Sequence, residues 1–351
     1  MRPMAHDEPG EATVPTLAQR VFAALADGAV HSGEQLAAEQ RVSRTAIWKA
    51  VGALQELGVA IEATPNRGYR MTRPVTPLHA GAISAGLEPE VRARLRHGDV
   101  AWTLASTNST LLSRGAGPLP GAAAQLPAGQ FDFLAAEYQS AGRGRNARRW
   151  FAPPGGALCL SLAWSFAALP RHAAALSLAV GVCARRALAG LAPSEARLKW
   201  PNDLLVGERK LGGILIELRA ESGGPAYVVI GVGINCALGD AVSEQVRGTG
   251  SEAIDLAALG VAHCDRNRLA AGLLGHIVRG VQEFERAGLQ PFAAEWAAAD
   301  ALAGRVVSVA LADGAFIGHA RGIDADGALC VHGNGALRRF NSGEVSVRAS
   351  P

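Results

Sequence analysis

The sequence predicts an α+β protein built in three successive sections: helices with a two-stranded hairpin, then a mixed sheet with helices, then a small β-barrel. Three observations lead to this prediction. The chain has 351 residues, more than one ordinary domain needs. Pro74 and Pro77 interrupt helix and strand pairing alike after the first section. From about residue 302, short apolar runs alternate with glycine turns. We expect the sections to span 16–73, 78–300 and 301–351.

Composition excludes several classes of protein. Hydrophobic residues make up 49% of the chain, ample for a sizeable core, but no apolar run reaches the ~18 residues of a membrane span. Residues 1–15 are polar and lack the apolar stretch of a signal peptide, so we expect a disordered lead-in. The five cysteines form no C-x-x-C pair, which argues against a zinc site or a disulfide framework. Free thiols fit a reducing cytoplasm.

The first section has the pattern of three helices. Leu17, Val21, Phe22 and Leu25 lie on one face at helical spacing. Ser32 precedes a short helix in a capping-box pattern with Gln35. A longer helix follows Ser43, a good N-cap, and ends at Gly58. We expect its inward face to carry Ile47, Val51, Leu54 and Leu57.

Two short strands, 59–63 and 68–71, follow these helices and are joined by residues 64–67. Three helices followed by a hairpin predict a winged helix-turn-helix, whose third helix would enter a major groove. A basic residue at the hairpin tip could meet a phosphate. A protein-interaction module with a solvated polar face is the alternative. The candidate DNA contacts are Arg44, Thr45, Trp48, Lys49 and Arg67.

Residues 139–150 form the most unusual stretch, directly after a predicted strand at 133–138. Gly142, Gly144 and Ala147 match the dinucleotide fingerprint, but the prolines and glycines of 153–156 leave no room for the helix that this fingerprint must open. What remains is a loop with four arginines, two glycines and a tryptophan. Guanidinium groups suit phosphates and carboxylates, so the loop is expected to order over an anionic, nucleotide-like ligand. A solvated basic loop is the alternative.

A second candidate segment places Lys199 at a strand end, just before a turn at Pro201. Apolar strands at 214–218 and 227–230 follow, and the second ends in the glycine-rich 231–235. Glycines in strands allow a ligand to approach the backbone closely. A lysine beside a basic loop could neutralise charge during acyl or phosphoryl transfer. Taken alone, Lys199 is more often an ordinary surface lysine.

Together these segments resemble the biotin protein ligase family, in particular ligases that also repress the biotin operon. The likeness covers nearly the whole chain, and the Gly-Arg-Gly-Arg and Lys-Trp-Pro-Asn-Asp elements in this order are highly specific. It implies a class II synthetase-like ligase fold for the central section. The matching motifs lie at 30–36, 106–108, Gln139 with 141–145, Trp150, 199–203, 209–211, 231–235 and 321–324.

The resemblance implies roles for individual residues. Lys199, Arg145 and Arg143 would be catalytic. Mg²⁺ would accompany ATP, with protein ligands that the motifs do not assign. ATP would contact Asn202, Asn235 and Arg148. Biotin or its adenylate would be bound by Ser106, Thr107, Asn108, Gln139, Gly142, Arg143, Gly144, Arg145, Trp150, Lys199 and Gly231.

The resemblance also implies a reaction and its partners. Biotin would be activated to biotinyl-5′-adenylate and transferred to a lysine of the biotin carboxyl carrier protein of acetyl-CoA carboxylase. Operator DNA of biotin genes would be bound by a homodimer that forms with the adenylate, and no membrane is involved. The C-terminal strands (306–310, 315–323, 328–331, 337–340 and 344–348) predict an SH3-like barrel. This barrel would help to position ATP and the acceptor, or serve as a plain structural cap.

Three alternative functions remain open. The sequence also departs from the family pattern in two places. The chain could be a ligase whose N-terminal section serves another purpose, a lipoate or octanoate ligase, or a regulator that senses the adenylate without transferring it. The family loop usually has a glycine where this chain has Ala147, which restricts the backbone. The surface loop predicted at 115–130 is longer than usual.

Overall fold

The computed structural model describes residues 15–65, 67–115, 126–189, 196–220, 225–239, 242, 244, 252–311, 314–341 and 346–349. The predicted disordered lead-in and most of the predicted loop at 115–130 lie outside these residues. Residues 115 and 126–130 of that loop are described: Pro127 and Ala128 are exposed, as predicted, whereas Leu126 is buried in a cluster with Leu111 and Tyr227.

The first section consists of three helices and a hairpin, as predicted. They are α1 (Leu17–Leu25), α2 (Gly33–Gln40), α3 (Arg44–Glu56), β1 (Ile61–Thr64) and β2 (Gly68–Met71), with the two strands antiparallel. The predicted inward residues are buried, except that Leu17 and Leu57 are only partly so. The apolar periodicity therefore determined the core of this section.

The helix ends follow the local rules of capping with one correction. Ser32 Oγ accepts the Gln35 amide, but the Gln35 side chain donates to Glu39 instead of returning to the cap, so the predicted capping box is wrong. A capping box lies at α1 instead, between Thr16 and Gln19. Gly58 has φ +89° after α3, which is the left-handed geometry expected of a glycine there.

The central section surrounds a seven-stranded mixed sheet. Its strands are β3 (Leu95–Leu104), β4 (Phe131–Gln139), β5 (Ala157–Phe166), β6 (Arg197–Lys199), β7 (Asp203–Val206), β8 (Arg209–Ala220) and β9 (Ala226–Asn235). The order is β3-β4-β5-β9-β8-β7-β6, and only β3 and β4 are parallel. The helices are α4 (Ala80–Ala85), α5 (Pro89–Arg92), α6 (Thr107–Arg114), α7 (Leu176–Leu188), α8 (Arg266–Ala287) and α9 (Ala293–Ala299).

Every residue of β5 is buried, which shows that both faces of this sheet are covered. Helices α7 and α8 pack against one face, and α6 packs against the other. Strands β4 and β9 are longer than predicted. β9 pairs with β5 through Asn235, including both glycines of 231–235, because strand pairing on both sides outweighs the low strand propensity of glycine.

The last section contains five antiparallel strands in the order β13-β12-β11-β10-β14, consistent with the predicted small barrel. They are β10 (Val306–Leu311), β11 (Gly314–Ile323), β12 (Leu329–Gly333), β13 (Ala336–Phe340) and β14 (Ser346–Ala349). The predicted bounds are off by one or two residues at most ends, and 344–345 lie outside the described residues. Within the described part of the chain, no helix has both the length and the apolarity that a membrane crossing requires.

Candidate active site

A cavity of about 690 Å³ opens along the sheet between α6, the arginine-rich loop and the turn after β6. Its size falls in the usual range of small-molecule sites. All predicted ligand-binding residues line it except Gly142, which lies behind the lining with its backbone against Trp150. Lining residues are Ser106, Thr107, Asn108, Gln139, Arg143, Gly144, Arg145, Arg148, Trp150, Lys199, Asn202, Gly231 and Asn235.

The start of α6 supplies an end of the cavity that is rich in hydrogen-bonding groups. Ser106 is the N-cap of this helix, and its Oγ accepts the Ser109 amide at 3.4 Å. The backbone N and the hydroxyl of Thr107 both donate to Gln139 Oε1, at 2.7 and 3.1 Å. Ser161 Oγ lies 2.7 Å from Thr107 Oγ1. These buried side chains are fixed by one another, so their remaining donors and acceptors face the cavity in set directions.

Two glycines of β9 form the floor. A Cβ at Gly231 would stand 2.2 Å from Asn108 Oδ1, and a Cβ at Gly233 would stand 2.7 Å from the Trp150 ring. Both distances are shorter than real Cβ contacts, so each glycine makes room for the side chain above it. The glycine-rich end of β9 therefore lies at the floor of the cavity, where its pattern predicted that a ligand could approach the backbone.

The arginine-rich loop folds back on itself between β4 and β5. Gly144 N donates to Arg148 O at 2.7 Å, and Trp150 N donates to Gly142 O at 2.9 Å. Between them is one 3₁₀ turn (Arg145–Ala147), with Asn146 at φ +53°. No α-helix begins in this loop, which confirms that the dinucleotide fingerprint does not apply. Ala147 lies in that turn, where the family usually has glycine.

The four arginines of the loop have different surroundings. Arg143 pairs with Glu217 and donates to Ser109 Oγ at 3.0 Å. Arg149 stacks 4.9 Å above the Phe151 ring. Burial lowers the pKa of Arg145, an effect that Asp203 opposes and Arg148 reinforces. The loop therefore presents some arginines already engaged and others aimed at the cavity.

Lys199 ends β6, as predicted, and is half-buried in the cavity wall. Burial lowers the pKa of Lys199 most, while Asp203 raises it and the nearby Lys210 and Arg148 lower it further. Among the described residues, Lys199, Arg145, Arg148 and Arg149 form no salt bridge, whereas Arg143, Lys210 and Arg305 are paired with Glu217, Asp203 and Glu208 respectively. Lys199, Arg145 and Arg148 thus bring three cations without a salt bridge to one end of the cavity, where Asp203 is the nearby carboxylate.

The two asparagines predicted to contact ATP also have structural bonds. Asn202 Nδ2 donates to Ile214 O at 2.7 Å. Asn235 is 4% exposed, and its amide nitrogen donates to the carbonyls of Lys210 and Ile254. Both amides hold the turn after β6 and the start of β8 in place beside the cavity.

The predicted DNA contacts lie together on a second surface. Arg44, Thr45, Trp48 and Lys49 are exposed on the outer face of α3, and Trp48 is 64% exposed. Arg67 is exposed at the end of the hairpin loop. Arg44 is within 3.8 Å of the equally exposed Glu34, a contact that solvent screens.

Three family models match the chain in succession. Residues 18–70 match a helix-turn-helix domain, residues 127–235 the biotin/lipoate A/B protein ligase family, and residues 303–348 the biotin protein ligase C-terminal domain. The bifunctional ligase/repressor BirA of Salmonella typhimurium is 37% identical over 337 residues, which cover 95% of this chain and 98% of that protein. The chain belongs to the bifunctional biotin ligase/repressor family. It is an enzyme of the ligase class with a helix-turn-helix domain.

More distant relatives agree with this assignment. The bifunctional ligase/repressor of Bacillus subtilis is 27% identical, over 90% of this chain and 93% of its own. The biotin–[acetyl-CoA-carboxylase] ligase of Mycobacterium tuberculosis is 35% identical over 70% of this chain and 87% of its own. The solved biotin protein ligase of Aquifex aeolicus with biotin and ATP has a TM-score of 0.58 at 24% identity, over 73% of this chain and 99% of that one, which shows the shared fold.

Sequence reasoning missed several charged residues of this site, among them Lys210, Glu217 and Arg305. Lys210 donates to Asp203 at 2.5 Å and lies 6.0 Å from the centre of the Trp150 ring. Glu217 holds Arg143, and Arg305 reaches the cavity from the last section, paired with Glu208 at 2.5 Å. Lys210 stood inside a motif of the resemblance and could have been included. Glu217 and Arg305 carry no local signal, because only the fold brings them to the loop.

Proposed function

We propose that this protein activates biotin with MgATP to biotinyl-5′-adenylate, transfers the biotinyl group to a lysine of a biotin carboxyl carrier protein, and represses biotin-synthesis genes by binding their operator. The observation that carries the proposal is the division of one cavity into two ends. One end, at the start of α6, is rich in hydrogen-bonding groups, and its charges, Arg143 and Glu217, are paired with each other. The other end holds Lys199, Arg145 and Arg148, which form no salt bridge among the described residues.

The hydrogen-bonding end fits the ring system of biotin. Its ureido group has one carbonyl acceptor and two N–H donors, and Ser106, Thr107 and Gln139 offer both kinds of partner. Asn108 and Trp150 provide the walls beside them. Because Thr107 is bonded to Gln139 and Ser106 caps α6, little freedom of these side chains remains to be lost when the ligand binds.

The cationic end fits the first chemical step. The carboxylate of biotin attacks the α-phosphate of ATP, pyrophosphate leaves, and the mixed anhydride biotinyl-adenylate forms. Two anions must meet, so cations in a partly desolvated pocket lower the barrier. We assign this stabilisation to Lys199 and Arg145 at the cationic end, together with Arg143, which lines the same cavity beside the start of α6. Gly142 and Gly144 let the loop backbone close over the intermediate.

The second step needs no nucleophilic side chain. The neutral amine of the acceptor lysine attacks the activated carbonyl, an amide bond forms, and AMP leaves with the bonding electrons. Catalysis is then positioning together with charge stabilisation. Mg²⁺ enters as part of MgATP; among the described residues no group of three His, Cys, Asp or Glu side chains could hold a metal ion, which fits a cation carried by the phosphates.

Repression is assigned to the exposed face of α3. One winged helix contacts one half-site, so two copies are needed for a specific two-fold operator. The homodimer would form when the arginine-rich loop orders over the adenylate, which supplies the difference between two states that a switch requires. Free thiols in all five cysteines support a cytoplasmic location. The alternative is a ligase whose N-terminal domain serves another purpose.

One assay tests the enzymatic part. The protein is incubated with labelled biotin, MgATP and a carrier domain, and the carrier is analysed for label on one lysine. We expect transfer that requires ATP and is lost in Lys199→Met. Labelled lipoate and octanoate run in parallel, because those ligases share the adenylate chemistry. Label from either of them, with none from biotin, would refute the proposed substrate.

A further inference from the structure

Two cysteines outside the ligand site lie side by side. Cys236 directly follows β9 and is 2% exposed, and Cys264 lies in the turn before α8 and is half-buried. Their Sγ atoms are 3.9 Å apart. This is van der Waals contact between two thiols that are 28 residues apart in sequence, and the proposed reaction uses neither of them.

The two thiols differ in reactivity. The hydrogen bond between the two thiols lowers the pKa of Cys264, burial opposes this effect, and the charge of Arg266 lowers the pKa further. The pKa of Cys236 is raised by the same contact and by burial. A half-buried thiol with a lowered pKa beside a fully buried second thiol is the arrangement of an attacking and a resolving cysteine.

We propose that Cys236 and Cys264 form a reversible dithiol–disulfide site that reacts with small-molecule disulfides, and that its oxidation loosens the linker between the helix-turn-helix and ligase domains. This inference does not depend on the proposed function. The Cys264 thiolate attacks an oxidised glutathione sulfur and releases one glutathione thiolate. Cys236 then attacks the Cys264 sulfur, and its proton passes to the second glutathione, which leaves as a thiol. Two protein thiols are oxidised, and one glutathione disulfide is reduced to two thiols.

Disulfide formation would loosen the linker because the turn that carries Cys264 lies next to the residues that hold the linker. A disulfide needs the sulfurs about 2.05 Å apart, so one side must move. Cys236 is held at the sheet, where its N donates to Gly156 O and its O accepts Ala257 N. The exposed turn at 261–265 has more freedom to shift, and it lies next to the residues that hold the linker.

The start of α8 anchors the linker by four hydrogen bonds. His263 contacts Thr76 Oγ1 at 2.9 Å, and Arg266 donates to Thr76 O at 2.8 Å. Asn267 donates to Pro77 O and accepts the His79 amide. Arg266 also forms a buried ion pair with Glu137 at 2.8 Å, and Glu137 accepts the Leu78 amide. A shift of Cys264 therefore disturbs the bonds that fix residues 76–79.

The first arm of the test measures the chemistry on the full native chain. The protein is treated with oxidised glutathione, quenched with an alkylating agent and mapped by mass spectrometry. We expect a peptide pair joined through Cys236 and Cys264, three alkylated cysteines, and full reversal by dithiothreitol. Cys330→Ser, which removes another half-buried thiol, should behave like the wild type. Cys264→Ser should yield no intramolecular disulfide. A stable glutathione adduct on Cys264, or no reaction in the native protein, would overturn the site.

The second arm measures the linker by hydrogen exchange. In the oxidised protein, the amides of Leu78 and His79 should exchange at least about tenfold faster than in the reduced protein, while those of the central strand β5 stay unchanged. Cys264→Ser under the same oxidant is the matched control. If the disulfide forms and both amides keep their protection, the coupling to the linker is wrong.

Discussion

Gly231 lies directly beneath Asn108: a Cβ at residue 231 would stand 2.2 Å from Asn108 Oδ1 and 2.9 Å from its Cγ. Asn108 cannot move aside easily, because its Nδ2 donates to Leu215 O and to Glu217 Oε2, each at 3.0 Å. Glu217 in turn pairs with Arg143. A strand glycine is thus linked, through one asparagine and one glutamate, to the arginine-rich loop.

Gly231→Ala should therefore weaken biotin binding by at least about tenfold, or about 1.4 kcal/mol. The added methyl group displaces Asn108, and overpacking of this kind typically costs about 1–3 kcal/mol of stability. Isothermal titration with biotin and thermal unfolding measure the two effects. Gly272→Ala on α8 is the control, because its Cβ meets no atom closer than 4.0 Å and alanine favours a helix. Equal biotin affinity in Gly231→Ala and wild type would contradict the packing argument.

The rate of adenylate formation should fall at alkaline pH earlier than an ordinary lysine would allow. Burial lowers the pKa of Lys199 from 10.5, so the cation is lost as the pH rises through that lowered value. Lys210→Gln should move the alkaline limb to higher pH, because it removes a like charge and frees Asp203, which raises the pKa of Lys199. Pyrophosphate release measured against pH tests this, with the distant Lys49→Gln as control. If Lys210→Gln shifts the alkaline limb of the pH–rate profile to lower pH, the prediction is wrong.

Arg145→Gly should release the adenylate several-fold faster, since it removes a cation that no salt bridge engages among the described residues. Bystander lysines should then be labelled. A pulse-chase on bound radiolabelled intermediate gives the off-rate. Arg149→Gly removes the same charge from the same loop, but that side chain stacks on Phe151, so its off-rate should change less. The assignment of Arg145 fails if the two variants release the intermediate equally fast.

Arg44→Ala and Lys49→Ala should weaken binding to the promoter region of biotin-synthesis genes and leave biotin transfer unchanged. Each lost phosphate contact should reduce the slope of log K against log salt by about 0.9. Binding is measured with and without biotin plus ATP. Glu39→Ala, on the exposed end of α2, is the control for surface changes. Weak binding that is equal in both conditions would mean that this domain does not serve as the proposed repressor.

By itself, the sequence determined the features that depend on neighbouring residues. Helical spacing and the serine caps predicted α2 and α3, and the glycine turns predicted the last strands. The order of the Gly-Arg-Gly-Arg and Lys-Trp-Pro-Asn-Asp elements indicated the family, which the relatives confirm. Strand ends were predicted less well, because pairing across the sheet extends β4 and β9 beyond their apolar runs.

Only the tertiary structure decided which distant residues meet. Local pattern carries no information about the sheet order that brings Glu217 to Arg143, or about the last section that brings Arg305 to the cavity. The same holds for Cys236 and Cys264, which look like unrelated thiols in the sequence and touch because the end of β9 lies beside the start of α8. These contacts depend on packing between elements far apart in the chain, and such packing is set by the buried core as a whole rather than by any one segment.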